Sequence, residues 1–177
     1  MSNLVSLRAM EVEDLDTLYQ YENDKKVWRV SGTTVPFSRH ILRKFIDTAF
    51  TDIYQSGQLR LIIEREGLAI GAVDIFDFDA HNKRAGVGII IFDSNNRSKG
   101  SAFEAMSLLV DYCFSTLLLH QIYCNIGSHN QASLALFKKL GFQIIGIKKE
   151  WNKTCNGYED ELMLQLITCK HTLQLSL

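Results

Sequence analysis

Apolar positions along the chain switch between a period of two and a period near 3.6, and the switches mark the predicted elements. Residues 4–8 read as a short strand. After an acidic first turn, Leu15, Leu18 and Tyr19 fall at helical spacing within residues 12–21. A loop to Ser38 follows, holding Trp28, Gly32 and the only proline, Pro36. Ile41, Leu42, Phe45, Ile46 and Ala49 then set the apolar face of a second helix, and Gly57 ends that helical region. Residues 59–64 and 69–78 read as strands joined by a hairpin turn at Glu66-Gly67, with a third strand over residues 85–92. A long apolar stripe predicts a helix over residues 100–118, and a strand follows at 121–126. Another helix lies between Asn130 and Leu140, with Gly141 as its stop. Two last strands, near 142–151 and 158–167, flank residues 152–157 and their Asn-Gly turn signal. This order predicts an α+β fold with a mostly antiparallel sheet. Residues 1–167 are expected to form one domain. For the tail, residues 168–177, a helical turn, an interface segment and disorder all stay open.

Composition narrows the partners. At 177 residues and 46% hydrophobic content the chain can bury one good core. Its net charge of −1, with both signs spread along the sequence, argues against a nucleic-acid surface or a polybasic membrane patch. No apolar run approaches the roughly 20 residues needed to span a bilayer. The first eight residues lack the basic start and apolar centre of a signal peptide, so a cytoplasmic location is expected. Partners are expected to be small molecules, and a homo-oligomer stays open. The four cysteines, Cys113, Cys124, Cys155 and Cys169, form no C-x-x-C pair and read as reduced thiols. Cys113 shares the apolar phase of Met106 and Leu109, and Cys124 alternates with Ile122 and Ile126, so both are expected to be buried filler. The five histidines show no i,i+4 pairing, and no metal is implied.

Candidate chemistry concentrates in two places. Residues 97–102, Arg-Ser-Lys-Gly-Ser-Ala, sit where a strand turns through small residues into the long helix. Unpaired amides and the helix dipole suit that turn to an anion, and an ordinary turn with solvated Arg97 and Lys99 is the alternative. Lys99-Gly100-Ser101 is not a P-loop, because the upstream glycine is absent. The second place is the acidic run Asp74, Asp77 and Asp79. Alternation puts Asp77 and Asp79 on one face and Asp74 on the other unless a bulge intervenes, and a solvated strand end is the plain alternative to a site. Asn130 is a good N-cap, and Ser133 and Phe137 share its helix face, leaving Ala132, Leu136 and Leu140 for the core.

Arg97-x-x-Gly100-x-Ala102, then helix and strand, then Asn130-x-x-Ser133-x-x-x-Phe137-x-x-x-Gly141-Phe142, closely resembles the GNAT superfamily of acyl-CoA-dependent N-acyltransferases. The chain looks most like its spermidine and ribosomal-protein N-acetyltransferase branches. The resemblance implies acetyl-CoA as co-substrate and direct attack by a primary amine of a polyamine-like molecule or a protein N-terminus. A CoA-binding module with little turnover is the alternative. The resemblance also implies a mixed sheet, flanked by helices and splayed between the strands near 85–92 and 121–126. Backbone amides of Arg97, Ser98, Lys99, Gly100, Ser101 and Ala102 would wrap the pyrophosphate. The strand at Ile90, Ile91 and Phe92 would pair through its main chain with the pantetheine arm and offer an oxyanion donor. Asn130, Ser133 and Phe137 would line the cofactor.

By the same resemblance, Asp74 and Asp77 fall where acidic residues face a cationic acceptor. Glu22, Asp24 and Trp28 would complete that pocket. The chain departs from the family at two catalytic positions: Phe137 stands where many members have a tyrosine acid, and Gly86 where many have a glutamate. Tyr158 is the available substitute acid, with simple packing as its other role. A CoA thiol, with a pKa near that of free Cys at about 8.5, can also leave as thiolate.

Overall fold

The computed structural model describes residues 5–25, 27–28, 33–49, 51–92 and 100–168. Strand β1 (Val5–Arg8) leads through a 3₁₀ turn (Val12–Asp14) into α1 (Leu15–Glu22), and α2 spans Arg39–Asp47. Ser38 caps α2, its Oγ accepting from Ile41 N at 3.2 Å, so the helix starts two residues before its first apolar position. A short helix α3 (Ile53–Ser56), which periodicity did not single out, closes on Gly57 at φ 69°. Strands β2 (Leu59–Arg65), β3 (Leu68–Asp79) and β4 (Arg84–Ile91) follow. The turn between β2 and β3 has both Glu66 and Gly67 at positive φ, 54° and 75°, as a tight hairpin requires.

The long helix divides. Helix α4 (Ser101–Asp111) passes into one π-helical stretch, Tyr112–Thr116, before β5 (Gln121–Gly127). Helix α5 (Gln131–Lys139) ends at Gly141, φ 93°. The last hairpin, β6 (Gln143–Thr154) and β7 (Gly157–Ile167), is longer than expected. Asn152 to Thr154 belong to the strand rather than to a loop, because Thr154 pairs directly with Gly157 across a two-residue turn.

The seven strands order as β1-β2-β3-β4-β5-β7-β6. Every pairing is antiparallel except β4 with β5, which is parallel and covers only Arg84↔Gln121, Ala85↔Ile122 and Gly86↔Tyr123. Beyond Gly86, β4 and β5 part, and among the described residues no ladder bridges them. On one face of the sheet Met106 and Leu109 of α4, with Leu134 and Phe137 of α5, pack on Val73, Val87 and Ile122. On the other, Leu18 of α1 and Leu42 and Ile46 of α2 cover Ile62 and Ala72. Each such burial removes enough apolar surface to contribute about 1.5–3 kcal/mol, so both faces hold the sheet rigid around the gap. Leu134 joins Phe137 in the core, Leu136 and Leu140 pack partly buried against it as expected, and Ala132 is exposed. Cys113 and Cys124 are buried, and burial pushes both thiols up to about 12.

Candidate active site

Where β4 and β5 part, a cleft of about 990 Å³ opens. Val87 to Ile90 of β4 form one side, and Cys124 to Gly127 of β5 with Asn130, Ser133 and Phe137 of α5 form the other. Asn130 caps α5, its Oδ1 accepting from Ser133 N at 3.2 Å, so capping and lining are compatible. Phe137 is only 2% exposed and packs edge-on against Phe142, with ring centroids 5.0 Å apart. Of the predicted strand contacts, Ile90 lines the cleft. The side chains of Ile91 and Phe92 are buried in the core, where Phe92 stacks on Tyr21 at 4.5 Å.

Of the turn expected to hold phosphate, the structure describes Gly100, Ser101 and Ala102; Arg97, Ser98 and Lys99 lie outside the described residues. Gly100 has φ 79°, and among the described residues a Cβ there would meet only Glu104 Oε1 at 3.9 Å. Ser101 is fully buried and its Oγ accepts from Arg65 Nη1 at 2.9 Å. Its side chain therefore holds the helix to β2. Ala102 packs partly buried against the core.

The acidic residues are sorted by a bulge. The β3–β4 register shifts between Phe76 and Asp79, and Asp77 takes φ 50°. Asp77 is exposed, accepts from Tyr123 Oη at 3.0 Å, and is not among the residues lining the cleft. Tyr158 is 64% exposed at the far end of its hairpin and is likewise absent from the lining. Asp74, Glu22 and Trp28 do line it. Arg60 joins the first two, giving Asp74 a bidentate pair at 2.6 and 3.0 Å and hydrogen-bonding Glu22 Oε1 through Nη1. Burial alone would lower the Arg60 proton affinity, but Asp74 and Glu22 outweigh it and raise it above its ordinary value. Trp28 is held by its indole N–H donating to Glu22 O at 2.7 Å.

Gly86 has a local cause for its departure from the family pattern. A Cβ there would lie 2.2 Å from Phe76 Cε2, so the Phe76 ring fills the space a side chain at 86 would need. Sequence reasoning missed the opposite wall. His129, Glu159 and Glu161 all line the cleft, with the His129 Nδ1 hydrogen-bonded to Glu159 Oε2. Glu161 accepts from Lys148 Nζ at 2.6 Å and Asn152 Nδ2 at 3.2 Å. Cys124 lines the cleft too, but a thiol raised to about 12 is protonated at neutral pH and a poor nucleophile. Among the described residues no group of three or more His, Cys, Asp or Glu is placed to hold a metal, and no helix is long and apolar enough to cross a membrane.

Residues 5–143 match the family described as Acetyltransferase (GNAT) domain. The chain is 30% identical over 166 residues to the uncharacterized N-acetyltransferase p20 of Bacillus licheniformis, a match covering 92% of each chain. It is 29% identical over 142 residues to spermidine N(1)-acetyltransferase of Escherichia coli K12, covering 80% of this chain and 74% of that one. The spermidine N-acetyltransferase of Vibrio cholerae, solved in complex with CoA and spermine, superposes with a TM-score of 0.83 at 23% identity over 92% of this chain and 95% of that one. A dodecameric structure of the Vibrio cholerae enzyme superposes at 0.79 and 23% identity over 97% and 98%. At that identity the two structures speak to the fold.

Proposed function

This chain belongs to the GNAT acetyltransferase family, a family of N-acyltransferases, and from that premise we propose that it moves an acetyl group from acetyl-CoA to a primary amine on a small cationic acceptor. The observation that carries the reading is the parting of β4 from β5 after three residue pairs, with the cleft opening there. A pantetheine-sized arm fits such a gap because strand edges offer N–H and C=O groups without demanding particular side chains. Asn130, Ser133 and Phe137 on one side and Ile89 and Ile90 on the other would hold it, with the helix start at Gly100 for the phosphates. Acetyl-CoA supplies an activated thioester carbonyl and a thiolate leaving group.

The cleft's carboxylates, Glu22, Asp74, Glu159 and Glu161, support a cationic acceptor over a neutral one, and the named activity of the Escherichia coli relative agrees with that charge. Arg60 offsets one carboxylate of the Glu22–Asp74 pair and Lys148 one of the Glu159–Glu161 pair, so each wall keeps one negative charge in excess for the acceptor. Asp77 and Tyr158 are left without a role in this reading. The test is free-thiol release from acetyl-CoA with a panel of spermidine, simple diamines, aminoglycosides and N-terminal peptides. Turnover with the polycations supports the proposal. Turnover with peptides alone would reassign the acceptor to a protein N-terminus.

A CoA-binding module without turnover is the second reading. It is favoured by Phe137, whose buried ring carries no acid, and by Phe76, which occupies the space of a side chain at 86. Thermal stabilisation by acetyl-CoA without thiol release for any amine would select it.

A further inference from the structure

We propose that His129, held by Glu159, is the proton acceptor for the incoming amine; this deepens the transfer reading above and rests on it. An alkyl ammonium has a pKa close to that of lysine, about 10.4, so near neutrality the acceptor arrives protonated and cannot attack. Some group in the cleft has to take that proton. The β2–β3 wall offers none that is free to do so, because Arg60 already engages both Glu22 and Asp74.

On the β5–β7 wall the partners divide differently. Asp160 is taken by Lys149 Nζ at 2.7 Å and by Glu150 N at 2.9 Å, and Glu161 by Lys148 and Asn152. Glu159 is left to the imidazole of His129, which is 54% exposed against 17% for the Glu159 side chain. The carboxylate therefore lies beneath a ring that reaches solvent and lines the cleft. A carboxylate on Nδ1 fixes the Nδ1–H tautomer and leaves Nε2 bare, which is the arrangement a general base needs.

Two backbone features build the pair. Ser128 N donates to Asp160 O at 2.9 Å, which ties the end of β5 to β7 next to both residues. Gly127 supplies the room, since a Cβ at 127 would sit 3.1 Å from Glu159 Oε1 and 3.3 Å from His129 Nδ1. The position also suits a base, because His129 directly precedes Asn130 and shares the cleft with Ser133 and Phe137.

In the transfer step the ammonium gives one proton to Nε2, and the freed nitrogen lone pair forms the C–N bond at the thioester carbonyl carbon. The C–S bond breaks with its electrons going to sulfur. The second nitrogen proton passes to the thiolate, leaving an amide and a free thiol, and the imidazolium returns its proton to water. Glu159 exchanges no proton in this step and acts as a positioning residue.

Full-length wild type, His129→Ala and Glu159→Gln are compared in two measurements. The first is the pH profile of kcat/KM for thiol release with the best amine of the panel. Wild type should lose rate at acid pH. His129→Ala should lose about 10²-fold near neutrality, lack the histidine limb, regain rate as alkaline pH frees the amine, and respond to added imidazole. Glu159→Gln should keep the limb with a lower kcat. The second is the ¹⁵N NMR spectrum of the imidazole in the protein without acetyl-CoA, which should show Nδ1 protonated and Nε2 bare, a preference that Glu159→Gln removes. A bare Nδ1 with protonated Nε2, or an His129→Ala enzyme with the wild-type rate and profile, overturns the role of His129 and leaves the transfer reading standing. Wild type without thiol release for any amine overturns both.

Discussion

On the β2–β3 wall of the cleft, Arg60 binds Asp74 through two hydrogen bonds and Glu22 through a third. On the β5–β7 wall, Glu159 binds the half-exposed imidazole of His129. Both walls set acidic groups beside a basic partner. A guanidinium is charged at every accessible pH and locks its partners in a planar fork, whereas an imidazole exchanges its proton in the physiological range. The first wall therefore behaves as framework and the second as a place where a proton can move. The same carboxylate chemistry yields a fixed wall or a working one according to the partner the fold delivers.

The largest expected effect breaks the framework wall. Arg60→Met leaves Glu22 and Asp74 facing each other without a cation and should cost about 3 kcal/mol in urea unfolding. Adding Glu22→Gln and Asp74→Asn should recover most of the loss, since no uncompensated charge then remains. Glu159→Gln, which removes half of a partly exposed pair, should cost under about 1 kcal/mol in the same assay. Equal losses on the two walls would erase the distinction between them.

Next in size is Phe137→Tyr, on the α5 side of the cleft. If loss of the thiolate limits the rate, a hydroxyl there should raise kcat about tenfold, equivalent to about 1.4 kcal/mol of barrier. That is less than a well-placed acid gives, because the ring is fixed against Phe142 by packing rather than aimed by a hydrogen bond. Acetyl-CoA affinity should stay the same. An unchanged kcat with fast product release would mean that the thiolate takes its proton from the amine nitrogen or from water, with no side-chain acid needed.

Gly127→Ala sharpens the comparison on the working wall alone. Its Cβ would press on both Glu159 and His129, so the pair must shift by a few tenths of an ångström. Such a displacement should lower kcat about threefold while leaving the acetyl-CoA thermal shift intact. A stability loss with unchanged kcat would mean that the spacing of the pair is immaterial to turnover.

Local patterning made most of the elements legible, and the misses have identifiable causes. Helix α4 and its π-helical extension carry one uninterrupted apolar stripe, so the change of winding at Tyr112 leaves no mark in the pattern. The Asn130 face was readable because three positions on one helix repeat the period of the helix. The Arg60–Asp74 pair was not. The register set by the Glu66-Gly67 turn, carried straight along the hairpin, would set Val73 opposite Arg60. A bulge between Ile63 and Glu64 slips it by one residue and brings Asp74 there instead. His129 and Glu159 meet because β5 pairs with β7 rather than with β6, a tertiary choice that no local window contains.

The smallest expected effect concerns Asp77, whose place in the acidic run made it an acceptor candidate. The bulge at Phe76 turns it out of the cleft to accept from Tyr123 Oη, so Asp77→Asn should leave the acceptor KM and kcat unchanged. Asparagine tolerates the φ of 50° as well as aspartate does, and an exposed hydrogen bond that keeps one acceptor should cost about 0.5 kcal/mol or less. The substitution has a separate signature at Tyr123. Its phenol is raised above the ordinary value first by burial and then by Asp77, so removing the carboxylate charge should lower it while burial keeps it above that of free tyrosine. Ultraviolet titration of the wild type and the variant reads that shift. A rise in acceptor KM on Asp77→Asn would return this residue to the site and would mean that the acceptor reaches beyond the cleft, over the β3–β4 edge.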